Sequence, residues 1–389
     1  MRARTAGPEV GMGLGAARPG EGVPRALDVA LLSPLTWPEA RRGAERMFRD
    51  LASGLLARGH RPWLLSSHQG LPRTSIENGV RVTRNWRPPD GRLQRRAYEE
   101  HLTHAPSTYL SLRRRPVDVA HASHAPDALA AARWSRRTGA PTILSFMGIP
   151  DRPWLVARRH RLQLVLRACR ECAAVVALSQ TAADAFAHSL GVSARVIPPG
   201  VDTDAFSPGG ERSAVPQILC TASLEVPEKR VSLLVDALPL VRRSRPDTEL
   251  VLQRPSAQAL SDHAAREPGV VLMDTDAELL LDAYRSAWCS ALPSRSDAFG
   301  LVLAESLACG TPVVGSDRGA LAEVIDRPEV GRVFAGEDPS EVARALLEAL
   351  ELAEDPATAA ACRARALELS LDRCADAYEA LYRELLSSA

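Results

Sequence analysis

The chain reads as an α/β protein built from two parallel-sheet domains, and three observations predict this. Residues 28–65 spell strand, helix, strand. Residues 289–314 spell strand, loop, helix, strand. A proline- and glycine-rich passage over 197–210 separates the two. A strand–helix–strand unit sets its strands parallel in one sheet with the helix on a face, and 389 residues suffice for two domains of ordinary size.

Composition narrows the class. With 46% apolar and 24% charged residues the chain is globular rather than disordered. A net charge of +1 argues against a dedicated nucleic-acid binder. No apolar run approaches the eighteen or so residues that span a bilayer. Residues 1–25, rich in Gly, Pro, Ala and Arg, are expected to be a disordered leader rather than a secretory signal, and Met12 offers an alternative start. The seven cysteines are scattered. Cys169 and Cys172 form one C-x-x-C with no second pair, which reads as packing within a helix rather than zinc. Free thiols in a chain without a signal point to the cytoplasm.

Taken in order, Asp28 to Ser33 is a buried strand. Ala44, Met47, Phe48, Leu51, Ala52, Leu55 and Leu56 then recur at helical spacing until Gly59, and Trp63 to Leu65 is the next strand. Residues 66–115 hold turns and little else of predictive value. Strand ends are expected near His121 and Gly148, and His121 and His124 are candidates to approach a cleft, although a structural histidine at a strand end is the commoner case. Residues 152–170 set six arginines against apolar residues. This is either a solvated helix face, the favoured reading, or a surface for peripheral membrane contact. A strand at 175–179 and a helix at 181–190 lead to the linker, whose Gly200 and neighbouring prolines make a stiff bend.

The second domain opens near Val215 with a strand at 217–223, a loop at 224–230 and a helix from Val231. Lys229, the only lysine among 48 basic residues, lies at that helix start. A cation there opposes the helix dipole, and a compact point charge is what a phosphate would call for. Two D-x-D triplets, 202–204 and 274–276, fall in the linker and at an expected helix cap, so no metal site is assigned. Leu371 to Leu386 is a terminal amphipathic helix.

The stretch Ser294 to Val314 carries the chemistry. It runs from the end of strand 289–292 through a small-residue loop into a helix that stops at Gly310. Strand ends of this kind are where open α/β sheets bind ligands. Free N–H groups around Phe299, Gly300 and Leu301 suit a phosphate. Asp297 and Glu305, eight positions apart, offer carboxylates on either side. A plain amphipathic helix with one solvated glutamate explains the same stretch less specifically.

This stretch resembles the acid–x7–acid signature of the family-4 retaining glycosyltransferases, and Pro199-Gly200-Val201-Asp202 with Phe206 and Pro208 resembles that family's interdomain passage. The likeness extends over about residues 26–389. It implies the GT-B fold: an acceptor-side domain over 26–208, a nucleotide-sugar domain over 215–372, and a terminal helix, 373–389, crossing back to the first. It implies transfer of a sugar from a nucleoside diphosphate to an acceptor, such as a natural product or glycoconjugate, with retention and without metal or other cofactor. Carried over by position, the donor site comprises Gly43 in the first glycine-containing loop, Lys229 with Arg230, Phe299, Gly300, Leu301 and Glu305. Lys229, Asp297 and Glu305 stand as the catalytic set: Lys229 on the diphosphate, Asp297 on sugar hydroxyls and Glu305 on the ribose. An ordinary helix start explains Gly43 equally well. Four positions depart from the family pattern, all on the donor side. Met147 replaces a histidine, Ser223 an arginine, Gln253-Arg254 a glycine-rich turn, and Asp297 a glutamate. They imply an unusual donor, such as a deoxy or branched sugar, or lost activity. A non-catalytic binding homologue and a GT-B sugar-nucleotide epimerase are the competing readings.

Overall fold

The computed structural model describes residues 25–36, 39, 43–274 and 277–388, without the side chains of 262, 263, 277 and 278. All of the expected leader except Arg25 lies outside the described residues. So do Thr275 and Asp276 of the expected cap and Ala389. Arg25 itself is tied down, donating to Asp118 at 2.7 Å.

Two sheets form. The first contains β1 (Asp28–Leu32), β2 (Arg61–His68), β3 (Arg73–Glu77), β4 (Val80–Trp86), β5 (Val119–Ala122), β6 (Thr142–Phe146), β7 (Ala174–Ala177) and β8 (Arg195–Val196). Their order is β3-β4-β2-β1-β5-β6-β7-β8. The second contains β9 (Gln217–Cys220), β10 (Glu249–Gln253), β11 (Val270–Met273), β12 (Cys289–Leu292), β13 (Val313–Ser316) and β14 (Gly331–Phe334), in the order β11-β10-β9-β12-β13-β14. Every pairing is parallel except β3 with β4. That one is a hairpin turned at Asn78 and Gly79, both at positive φ, as a two-residue loop between twisted strands requires. Strand order reverses beside β1 in one sheet and beside β9 in the other, which leaves a crevice at the carboxyl ends of β1/β5 and of β9/β12.

Helical spacing turns into burial where expected. The helix Gly43–Ala57 buries Met47, Phe48, Leu51, Ala52 and Leu55 against the first sheet. At 152–170, however, no single helix forms. Arg152–Val156 and Arg161–Glu171 are separate, and His160 between them sits at φ 62°. Three of the arginines are committed to carboxylates: Arg158 to Glu100, Arg161 to Glu99 and Arg167 to Glu171. Cys169 lies in the second helix and Cys172 ends it, both as free thiols.

The terminal helix Leu371–Ser387 belongs to the first domain by contact. Arg58 binds its Asp372 and Asp376, and Arg195 grips Glu384 through two bonds of 2.6 and 2.9 Å. The chain crosses back where Val201 donates to Leu369 and Leu371 to Val201. A Cβ at Gly200 would stand 2.4 Å from Leu371 Cα. Close approach of two backbones, rather than a bend alone, therefore demands glycine there. Beneath the helix lies a closed polar network. Tyr382 and His121 Nδ1 are 2.7 Å apart, His121 Nε2 and Ser145 Oγ 2.6 Å, and Ser145 and Tyr378 2.9 Å. His121 is therefore a structural residue and does not reach the cleft. Burial drives its pKa down to about 3, which keeps the ring neutral.

Candidate functional site

Two loops flanking the β9/β12 crevice build the site. The loop after β9 ends in a short 3-10 turn, Pro227–Lys229, which carries Lys229 into the crevice. The loop after β12 brings Asp297. The Lys229 ammonium donates to both Asp297 oxygens, at 2.7 and 2.9 Å. The loops are joined elsewhere as well, since Arg295 N donates to the Glu228 carbonyl at 2.8 Å and Ser294 Oγ to the same oxygen. Asp297 is held from behind, its carbonyl accepting from Ala320 N at 2.9 Å, and a Cβ on Gly319 would come within 2.5 Å of that carbonyl.

The helix Leu301–Ala308 begins at Gly300 with φ 96°. A side chain there would both force the left-handed backbone and meet Leu321 at 2.6 Å. Leu301 and Val302 of its first turn line a cavity of about 340 Å³. Gly43, Lys229, Asp297, Phe299, Gly300 and Leu301 all line that cavity, with Met47, Met147, Leu178 and Pro199 opposite. Six of the eight expected site residues thus converge on one space between the domains, and Met147 occupies its first-domain wall.

Two expected residues do not face this space. Arg230, at φ 51°, turns its guanidinium into the protein. Its Nε donates to the Pro293 carbonyl at 2.8 Å, and its Nη1 pairs with Glu337 at 3.1 Å. It braces the loop that presents Asp297 and leaves Lys229 as the cation at the cavity. Glu305, one helical turn in and 2% exposed, is capped instead by Arg46 of the first domain at 2.5 Å and by the Tyr284 hydroxyl at 3.0 Å. Burial raises its pKa, opposed by the Arg46 charge. Arg46 also lies 5.1 Å from the centre of the Phe206 ring. Neither Arg46 nor Tyr284 was identifiable as a partner of Glu305, because each lies on a different element and only the fold brings them together. The second crossing between domains is Glu323, which accepts from Gln180 N at 2.8 Å and Thr181 N at 2.7 Å, so it satisfies the open end of the helix Gln180–Leu190.

The remaining departures are engaged locally. Ser223 accepts from Glu225 N, and Arg254 pairs with Asp274 at 2.9 Å. Among the described residues no group of three or more His, Cys, Asp or Glu side chains is placed to hold a metal, and no helix is long and apolar enough to cross a membrane.

Residues 41–205 match the family described as Glycosyltransferase Family 4, and residues 215–352 match Glycosyl transferases group 1. The chain belongs to the family-4 glycosyltransferases and has their GT-B fold, and it is an enzyme of that class. Among curated relatives it is similar to the D-inositol 3-phosphate glycosyltransferase of Nocardiopsis dassonvillei, 29% identical over 71% of this chain and 73% of that one. Among solved structures it is similar to sucrose-phosphate synthase from Thermosynechococcus elongatus, with TM-score 0.76, 19% identity, and 93% and 99% of the two chains covered. It is also similar to the Anabaena protein HepE in complex with UDP-glucose, with TM-score 0.70, 16% identity, and 93% and 100% covered.

Proposed function

We propose that this glycosyltransferase draws its sugar from a nucleoside diphosphate bound in the 340 Å³ cavity and passes it to an acceptor with retention, without metal. The observation that carries this reading is the Lys229–Asp297 pair, set at the strand-order reversal and lining the same cavity as the start of the Leu301–Ala308 helix. One cation and one set of free N–H groups on the same cavity form an anion site. HepE, a structural likeness, was solved with UDP-glucose, which supports the donor class.

In this reading Lys229 leaves Asp297 for the diphosphate and stabilises it as leaving group, together with the N–H groups of Phe299, Gly300 and Leu301. Asp297, released, accepts from sugar hydroxyls. Gly43 lets the first-domain helix approach the phosphates. Arg230 acts at one remove by bracing the loop. Glu305 takes the ribose only if it exchanges Arg46 or Tyr284 for it. The domains close over the donor and exclude water.

The test is a thermal-shift screen of UDP, GDP, TDP and ADP in the presence of a chelator, with Lys229→Ala as control. One nucleotide is expected to stabilise the wild type, by about 2.7 kcal/mol at a hundredfold excess over its Kd, and to stabilise the variant much less. If none of the four shifts the melting point, the donor reading fails. Product anomers read by NMR test retention. Turnover of the sugar nucleotide without any acceptor would favour an epimerase instead.

A further inference from the structure

The helix Gln180–Leu190 starts with its four open N–H groups satisfied, two of them by the other domain. Ser179 serves the inner pair: its Oγ accepts from Ala182 N at 3.1 Å and its carbonyl from Ala183 N at 3.0 Å. Glu323 of the second domain serves the outer pair. One carboxylate oxygen accepts from Gln180 N at 2.8 Å. The other accepts from Thr181 N at 2.7 Å and from the Thr181 hydroxyl at 2.6 Å. A carboxylate at a helix start also meets the positive end of the helix dipole. Gln180 is exposed and Glu323 half-buried, so water can satisfy each partner within its own domain. The contact therefore serves the joint rather than either fold.

Both ends of this contact lead into the donor cavity by short paths. On the first-domain side, Leu178 lines the cavity two residues before Gln180. On the second-domain side, Glu323 lies in the short helix Leu321–Val324, and the residues that open this helix seat the Asp297 loop. Ala320 N donates to the Asp297 carbonyl at 2.9 Å, and Gly319, at φ 68°, lies so close that a Cβ would come within 2.5 Å of the same oxygen. Leu321 packs on Gly300, where a Cβ would meet it at 2.6 Å. Arg365 braces the helix, its Nη2 donating to the Glu323 carbonyl at 2.6 Å and its Nε to that of Val324 at 3.2 Å. Closely packed groups of this kind move as units rather than deform. A shift of Glu323 is therefore a shift of Asp297 and Gly300.

We propose that Glu323 is a positioning residue for the transfer. It couples the two walls of the donor cavity, so that the first domain holds Asp297 and the helix start at Gly300 in register with the donor. The inference rests on the transferase reading and adds to it a residue outside the cavity lining. Transfer demands such register, because a misplacement of about 1 Å costs about 10²-fold in rate. The coupling is reciprocal: a donor that bridges both walls tightens the bonds of Glu323 to Gln180 and Thr181.

Hydrogen exchange of the full chain, read by mass spectrometry in peptides over 179–184 and 294–300, tests the coupling. In Glu323→Ala exchange should quicken roughly tenfold in both segments, although the deleted carboxylate bonds only to the first. Thr181→Ala, which removes one of the three bonds, should give the same pattern at smaller amplitude. Glu323→Gln keeps the side-chain length and one accepting oxygen and should recover part of the protection. Each variant is then titrated with whichever of UDP, GDP, TDP and ADP stabilises the wild type. The Kd should rise roughly tenfold in Glu323→Ala, and bound nucleotide should restore protection over 294–300. Quickened exchange confined to 179–184, or a nucleotide Kd unchanged in Glu323→Ala, would make Glu323 a helix cap alone and overturn the proposal. If none of the four nucleotides binds the wild type, the donor reading falls, and the two-segment exchange pattern still decides whether Glu323 couples the walls.

Discussion

Two ion pairs grow from the same nine-residue span and differ in almost every other respect. Lys229 with Asp297 lines a cavity, and the two side chains remain 32% and 19% exposed. Arg46 with Glu305 is withdrawn from that cavity, its carboxylate is 2% exposed, and it joins two domains. The first pair stays within one domain and loses little if its partners separate, because water and ligand can replace either one. The second has no such replacement, so breaking it strands a charge. A family signature spaces two acids evenly along the chain, yet the fold sends one toward substrate and one toward the domain joint.

The largest effect should come from Arg46→Ala. It leaves Glu305 buried and unpaired and should cost about 3–5 kcal/mol of stability in denaturant unfolding. Adding Glu305→Gln should restore much of that, since no charge then remains. A single variant within about 1 kcal/mol of wild type would mean the pair is already solvated, and the contrast would collapse. Next in size, Lys229→Ala should lower kcat/KM by roughly 10²–10³-fold, about 2.7–4 kcal/mol in the transition state, with under about 1 kcal/mol lost from stability. A large stability loss with nucleotide binding intact would assign Lys229 a structural role instead.

The same distinction explains which parts were legible in the sequence. The helix start at Gly300 and the loop with Asp297 are contiguous, so local spacing and turn chemistry exposed them. Lys229 was legible through its uniqueness. What could not be read lies in pairings distant along the chain. Residues 46, 284 and 305 meet only after two domains close. His121 looked like a cleft candidate because nothing nearby in sequence shows that Tyr378 and Tyr382 will cover it. Arg230 follows Lys229 directly, yet its left-handed backbone turns it to the opposite side. The break in 152–170 sits at His160, which carries no glycine or proline signal for positive φ. Gly200 was legible as special, but for a different reason from the one the structure supplies.

A polar network buried between the first sheet and the terminal helix gives the pH dependence. His121 has its pKa lowered by burial to about 3 from 6.5. The unfolded chain therefore takes up the proton first, and this group's contribution to stability, complete above pH 6.5, is lost as pH falls toward 3. At pH 5 the loss is about 2 kcal/mol from this residue. His124, lowered to about 4, adds a similar term. The slope of unfolding free energy against pH should steepen from pH 7 downward and approach about two protons at pH 5. His121→Gln, which can still hydrogen-bond, should remove one of them. An unchanged slope would place the protonation elsewhere.

Asp297→Glu carries the smallest expected effect and the finest discrimination. Glutamate adds one methylene and reaches about 1.5 Å further. Lys229 can follow it, being partly exposed, so stability should hardly move. If Asp297 faces the sugar, the longer side chain must change which donor fits. A methylene at a binding contact shifts selectivity by about 1–3 kcal/mol, so ratios of kcat/KM between a fully hydroxylated and a deoxygenated sugar nucleotide should change by roughly tenfold or more. The expected direction is a loss for the donor the wild type prefers, because a carboxylate set for short reach would now crowd it. Equal effects on all donors would indicate that the change acts on Lys229 and the diphosphate, and that the sugar is selected instead by the opposite wall, where Met147 stands.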